Sequence, residues 1–474
     1  MSQSQQLILS SVLALGTCYV LMSFMRRLRA AKSNIPLVPY SIPFVGHFIE
    51  LISHPFEFLS KCREKYGDAF DVYMMGTTLT MVTGQTGYEI LKAPEAAMSH
   101  ELAMDEALNF SWIIGYPMWK YKALNAPYIM PKYTSGLNGM DKLIDSELRD
   151  SLKRTFNGTH MMTVPNIEDF LHNIITPTMC NIILGKETCH DPELLSTARH
   201  FSSDLSECMG IANLIPFKPL VPYVLDLVDS KIKHHRHVMV TKLIPVIELR
   251  RRLETKLGSA YEKPLDLLQR HIDARDSQGK PYPADVIAPK LSVYIFAGVY
   301  NLILLVSHIV HFVAADDKVC RQLREEQDRI IATHGEQLTK EAVANMKFLD
   351  MVVKETLRLT ITPFRSSRQA MHTQVLSNDL FSAAHVGANP ESFDPWRYRN
   401  NPLATTVAAD FISFGCGPRA CSGRYVAVHV TKATVALLVR GYDMRTATGR
   451  RPEPTFSLME CKPGQVEMVL EERI

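Results

Sequence analysis

Hydrophobic and polar positions divide the chain into stretches of distinct period. Leu7 to Met25, LILSSVLALGTCYVLMSFM, is 19 residues without a charged side chain. As a helix it spans roughly 29 Å, about the hydrocarbon thickness of a bilayer. The basic residues Arg26, Arg27, Arg29 and Lys32 follow the apolar run. A cleaved signal sequence carries its charge ahead of that run, so the pattern predicts a single-pass anchor with the body on the cytoplasmic side. Prolines at 36, 39 and 43, with Gly46, then predict a stiff extended segment. Residues 55–66 read as a helix stopped by Tyr66-Gly67-Asp68, and AFDVYMMGTTLTMVTG as paired strands before a short helix at Thr86–Lys92. Helical periods dominate from Asp141 to Gly185. Ala288–Asp317 is apolar nearly all round, which predicts one long buried helix. PEPTFSLMECKPGQVEMVL gives two β-like runs around a Lys-Pro-Gly turn. The expected class is mainly α with small β-sheets (α+β).

At 474 residues, 46% hydrophobic and 21% charged, the chain can bury a large core. A net charge of +3 gives no reason to expect nucleic acid as a partner. The nine cysteines form no C-x-x-C pair and are odd in number, so a reduced, cytosol-facing body fits better than a disulfide framework.

The most informative stretch is FISFGCGPRACSGRYVAVHV. Phe414, Gly415, Gly417, Arg419, Cys421 and Gly423 stand at F-G-x-G-x-R-x-C-x-G spacing, with Ala427 beyond. Glycines allow a tight turn whose amides face a sulfur, and the apolar run after Gly423 reads as a helix whose positive end faces Cys421. A buried structural cysteine in a Gly-rich turn is the plain alternative, and six matched positions outweigh it. Here the chain resembles the cytochrome P-450 superfamily. The resemblance implies haem b with Cys421 as the axial ligand, Arg419 on a haem propionate and Phe414 shielding the sulfur. It also implies a Pro-rich hinge, and so a division into an anchor with basic flank (1–32), a hinge (33–54) and a haem-thiolate catalytic domain (55–474).

Glu355 and Arg358 supply the family's Glu-x-x-Arg, on one helix face at i and i+3. Phe393-Asp394-Pro395-Trp396-Arg397-Tyr398 resembles the loop that brings a second arginine, so Arg397 is expected to complete a buried triad. On the long apolar helix, Ala297-Gly298-Val299-Tyr300-Asn301 aligns with Ala-Gly-x-acid-Thr. Ala297 and Gly298 make room beside the haem, while Tyr300 and Asn301 replace the pair that relays protons in the family. Where relatives carry Trp-x-x-x-Arg, this chain has Trp119 with Lys120 and Lys122, then Lys132 and Tyr133. A Lys or Tyr among them is expected to contact the haem, solvated surface lysines being the alternative. The stretch between Arg368 and Asn389 is short for the family, through a real economy or a deletion in the gene as read. Leu458 or Met459 is expected either against substrate or in the core. Phe110, Trp112, Phe296 and Val299 complete the candidate pocket wall, and Lys432 and Arg424 are candidates to steer a reductase.

The expected activity is monooxygenation of a lipophilic small molecule of terpenoid, polyketide or sterol type. It would use O2 and electrons from an NADPH-cytochrome reductase at the endoplasmic reticulum membrane. Two rivals remain: a reductase-independent peroxide isomerase or dehydratase of the same fold, which Tyr300 and Asn301 favour, and a degenerate non-catalytic relative.

Overall fold

A computed structural model describes residues 35–360, 368–371 and 392–473, apart from 43, 135–136, 216–217, 402, 409–410 and 457–459. The apolar run at Leu7–Met25, nearly all of the short stretch after Arg368, and Leu458 and Met459 lie outside these residues. The chain divides into two compact units, Met1–Gly87 with Leu376–Phe381, and Tyr88–Val375 with Ser382–Ile474.

In the smaller unit, helices α1 (Phe48–Ser53) and α2 (Pro55–Tyr66) precede an antiparallel pair, β1 (Ala69–Met74) and β2 (Thr77–Val82). Proline at the first position of α2 suits a site whose N–H has no partner within the helix. Gly67, at φ 84°, stops the helix where the sequence predicts. His47 is buried, with Nε2 donating to the Pro39 carbonyl and Nδ1 accepting from Tyr73 N–H, which ties the Pro-rich segment to β1.

The larger unit is mainly helical. Helices α4 (Ile167–Leu184), α5 (Pro192–Leu214) and α6 (Lys231–Leu257) pack around α7 (Ala284–Ala315), α8 (Lys347–Leu359) and α9 (Arg424–Gly441) pack against its C-terminal half, and α3 (Leu137–Phe156) packs on α4 and α9. α7 is long and apolar enough to cross a membrane, but it is a core helix, buried along most of its length. It starts four residues earlier than the sequence suggests and ends at Ala315, because Asp316 caps the following helix by accepting from Lys318 N and Val319 N.

The sheets are small. β3 (Met98–Ser99) pairs with β5 (Gln369–Ala370), and β4 (Met161–Val164) and β6 (Tyr442–Thr446) flank β9 (Met468–Glu472). β7 (Thr455–Phe456) pairs with β8 (Cys461–Lys462). The two C-terminal runs are therefore both strands, but they do not pair with each other across Lys462-Pro463-Gly464. The second joins β4 and β6. Gly464 is needed there, since a Cβ would stand 2.3 Å from the Glu453 carbonyl oxygen.

Candidate haem-thiolate site

The cysteine loop rests on backbone that glycine adopts without strain. Gly415 and Gly417 have φ of 69° and 68°. At Gly417 space matters too, because a Cβ would stand 2.7 Å from the Leu91 carbonyl oxygen. Cys421 N–H donates to the Phe414 carbonyl at 2.7 Å and Ala420 N–H to that of Gly417 at 3.1 Å, folding the loop back on itself. α9 begins at Arg424, so Cys421 precedes the positive end of an 18-residue helix, where a thiolate is favoured over a thiol. Gly423 leaves the sulfur's flank open, as a Cβ there would lie 4.0 Å from Sγ. Among the described cysteines Cys421 alone is exposed. Burial pushes the Cys416 thiol up, that of Cys189 to about 11 and those of Cys208 and Cys461 to about 12, which keeps them protonated.

Glu355 is fully buried and gathers the triad. Arg358 donates Nε and Nη2 to its two oxygens, both at 2.8 Å, and Arg397 donates Nε to Oε1 at 3.2 Å. Asp394 N–H adds a further bond at 2.9 Å, and Arg358 also reaches the Ser392 carbonyl. The first turn of α8 is held from outside, where Glu326 accepts from Phe348 N at 2.6 Å and Leu349 N at 3.0 Å. The 3₁₀ turn Pro395–Tyr398 is thus fixed to α8 by charge, upstream of the cysteine loop.

Arg419 is buried and aimed at two carboxylates of the chain itself, Glu95 at 2.9 Å and Glu101 at 3.2 Å. Arg368 lies beside them, with Nη1 2.9 Å from His100 Nδ1. Its guanidinium is pushed down by burial while Glu95 acts in the opposite sense. Sequence reading missed Glu95, His100, Glu101 and Arg368, which come from chain regions distant from the motif. Two adjacent guanidinium groups are the chemistry that binds carboxylates bidentately.

On the distal side, α7 departs from α-helical spacing at Phe296–Tyr300, which form a π turn. Ala297 and Asn301 are exposed there, on a helix otherwise mostly buried, and the Asn301 amide donates to the Ala297 carbonyl at 2.9 Å. Gly298 packs close to Met179, whose Cε would be 3.0 Å from a Cβ. Tyr300 is turned to Glu460, donating at 3.1 Å. Phe296 stacks edge-on against Phe110 and Phe201, and Val299 is buried.

One expectation changes. Lys432 is no surface residue for a partner, because it is buried and ion-paired to Asp350 at 2.7 Å. Arg424 is turned to the Cys421 carbonyl and the Tyr425 hydroxyl. Trp112 donates to Asp226 at 2.9 Å. Trp119 is exposed, as are Lys120 and Lys122, and the Lys120 ammonium lies over the Tyr121 ring.

The donor set fits a haem: an exposed cysteine at a helix N-terminus, small residues at the π turn, and two arginines suited to propionates. A loop and helix of this kind define a thiolate-type metal-binding protein. The cytochrome P-450 family model matches residues 36–383 and 385–468, and the chain belongs to that family of haem-thiolate monooxygenases. The break falls at residue 384, within the short stretch after Arg368. Cytochrome P-450 monooxygenase 110 of Postia placenta is 24% identical, with 93% of each chain covered. Lanosterol 14-alpha demethylase of Rattus norvegicus is 25% identical, over 93% of this chain and 88% of that one. Cytochrome P-450 71A12 of Arabidopsis thaliana is 24% identical, over 94% and 95%.

Proposed function

We propose that this chain is a membrane-bound monooxygenase that oxidises a lipophilic small molecule, of terpenoid, polyketide or sterol type, with electrons from NADPH through a flavoprotein reductase. The observation that carries the reading is Cys421, exposed before the N-terminus of α9 while the other described cysteines are buried or half-buried. The cofactor of this reading is haem b. Bound, it supplies the redox centre at which dioxygen is activated. Cys421 holds the metal, and the glycine turns aim backbone amides near the sulfur to stabilise its charge. Phe414 keeps water from the thiolate, and Arg419 and Arg368, which Glu95, Glu101 and His100 of the chain itself meet here, would hold the propionates. Glu355, Arg358 and Arg397 fix the approach to the loop. Ala297, exposed at the π turn, leaves room for oxygen and substrate, Gly298 lets Met179 pack close behind it, and Asn301 offers an amide that never ionises.

Residues 1–32 serve as anchor, 33–54 as hinge and 55–474 as the catalytic domain in this reading, with the body on the cytosolic face of the endoplasmic reticulum. Membrane contact is supported by an exposed apolar patch on the larger unit. In the helix Val221–Val228, Val221 and Leu225 are buried, whereas Tyr223 is 70% and Leu227 85% exposed, with Leu214 and Leu220 close in sequence.

The test is turnover of candidate lipophilic substrates by the purified protein with reductase and NADPH. Oxygenated product dependent on both supports the reading. A second reading, peroxide isomerisation or dehydration, is favoured by Tyr300 and Asn301, which leave the exposed turn of α7 without a carboxylate. Conversion of a lipid hydroperoxide without NADPH or reductase replaces the first reading with the second.

A further inference from the structure

The exposed turn of α7 lacks a carboxylate, yet one reaches it from another element. Tyr300 donates its hydroxyl to Glu460 Oε2 at 3.1 Å, and Glu460 immediately precedes β8. The other oxygen of Glu460 meets Lys462 Nζ at 3.1 Å, with side chains 26% and 54% exposed, so this end of the line stands in water. The inner end is Tyr300, one position from Asn301 and beside the exposed Ala297–Asn301 face. Burial, then the charge of Glu460, pushes the Tyr300 phenol far up from its ordinary value. It therefore remains neutral, and can pass a proton only by exchanging one for another.

We propose that Glu460, acting through the Tyr300 hydroxyl, exchanges protons between bulk water and the distal side of the haem-thiolate site. The proposal rests on the monooxygenase reading and supplies the ionisable group its distal helix lacks. The exchange conserves charge on the phenol. When Glu460 is protonated the hydrogen bond of the structure reverses, the phenol O–H turning from Glu460 to a water molecule on the pocket side. The carboxylic acid then gives its proton to Tyr300 Oη as the phenol gives its own O–H proton to that water. The Glu460 carboxylate then takes a proton from bulk water. Glu460 is a positioning residue in this scheme, because it reaches the reacting atoms only through Tyr300.

The charged and titratable groups around the pair come from three elements. From α4, Glu168 accepts from Gln465 Nε2 at 3.3 Å, and Asp169 follows it. From the C-terminal segment come Lys462 and Arg451. From α7, His308 bonds the Cys461 carbonyl at 3.0 Å and His311 lies near it. Burial holds both histidines near 4, so they are neutral at working pH. Among the carboxylates gathered here, Glu460 is the one that touches Tyr300.

The experiment uses the full-length holoenzyme labelled with ¹³C at the tyrosine ring, in the diamagnetic ferrous carbon-monoxide form. Tyr300 is assigned by its loss in Tyr300→Phe. Its signal should move with pH as Glu460 gains a proton, and should stop moving in Glu460→Gln. In turnover with reductase, Glu460→Gln should lower the ratio of product to released hydrogen peroxide on the order of tenfold and flatten its pH dependence, with Glu460→Asp restoring part of both. If Glu460→Gln does not fold, Tyr300→Phe cuts the same line from the other end and should give the same loss. A Tyr300 titration unchanged in Glu460→Gln, or a product-to-peroxide ratio equal to the parent's, overturns the proposal. A parent that consumes no NADPH overturns the monooxygenase reading instead, and the labelled-tyrosine titration then decides alone whether this pair exchanges protons.

Discussion

Arg397 reaches Glu355 across 42 residues of chain, donating Nε at 3.2 Å to an oxygen that also receives Arg358 and the Asp394 amide. Glu355 is fully buried, so its charge is carried entirely by these partners. Removing it leaves two guanidinium groups without their counter-ion and costs about 3–5 kcal/mol. Glu355→Ala is expected to yield protein that does not retain haem, read as loss of the Soret band per protein on purification. Glu355→Ala with parent haem content would show that the triad does not hold the site.

Cys421 and Cys416 lie five residues apart in one loop and differ in exposure, one open and the other buried. Cys421→Ser should abolish the red-shifted band of the ferrous carbon-monoxide form, because serine offers no thiolate. Cys416→Ser should leave that band in place, since burial pushes its thiol up and away from the thiolate form. A Cys421→Ser protein with a thiolate-type spectrum would remove the ligand assignment.

The Glu355–Arg358 pairing and the turn before Cys421 were legible because each closes within one short segment, whereas Arg397, 42 residues from Glu355, was expected only from the resemblance of its loop. The spacing Glu355–Arg358 puts both side chains on one helical face, and the glycines around Cys421 dictate the turn. What was illegible depends on partners from elsewhere. Lys432 reads as a solvated lysine until Asp350, 82 residues away, meets it in the interior. Glu101 comes to Arg419 across 318 residues. The π turn at Phe296–Tyr300 adds to this, since a slipped helical period in an all-apolar stretch leaves no mark in the pattern. The strand after Lys462-Pro463-Gly464 was recognisable as a strand but not by its partners, which lie in β4 and β6.

Acid should destabilise the larger unit. Burial holds His271, His308, His311 and His429 near 4, against an ordinary value of 6.5. Between those values the unfolded chain binds protons that the folded chain refuses, so stability falls as pH drops from about 6.5 toward 4. Each such histidine contributes up to roughly 3 kcal/mol to that fall. Urea unfolding of the parent over this window should show the decline, and His429→Phe should make it shallower. An identical slope in His429→Phe would mean that His429 is charged in the fold.

Deleting residues 1–25 is expected to release the protein from microsomal membranes only in part. The exposed Tyr223 and Leu227 should keep some of it on the surface, as partly inserted apolar side chains do. Adding Tyr223→Asp and Leu227→Asp to the truncation should free the remainder, measured by vesicle flotation. Glycosylation at the Asn157-Gly158-Thr159 sequon in cells would place the body in the lumen and reverse the topology.

The Asn301 amide closes the π turn by donating to the Ala297 carbonyl at 2.9 Å, and the side chain is nevertheless exposed. One amide hydrogen is thus spent on the helix, while the second hydrogen and the carbonyl oxygen remain to hold a water or a substrate hydroxyl. Asn301→Ala removes all of these and leaves the Ala297 carbonyl without this donor. Product per NADPH should fall on the order of tenfold, with hydrogen peroxide rising by the missing amount. Asn301→Thr keeps a donor and an acceptor on a shorter arm and is expected to retain most of the coupling. The comparison separates chemistry from packing, because threonine is also smaller than asparagine but still hydrogen-bonds. If Asn301→Ala couples as well as the parent, Asn301 serves the helix alone and the protons reach the site without its help.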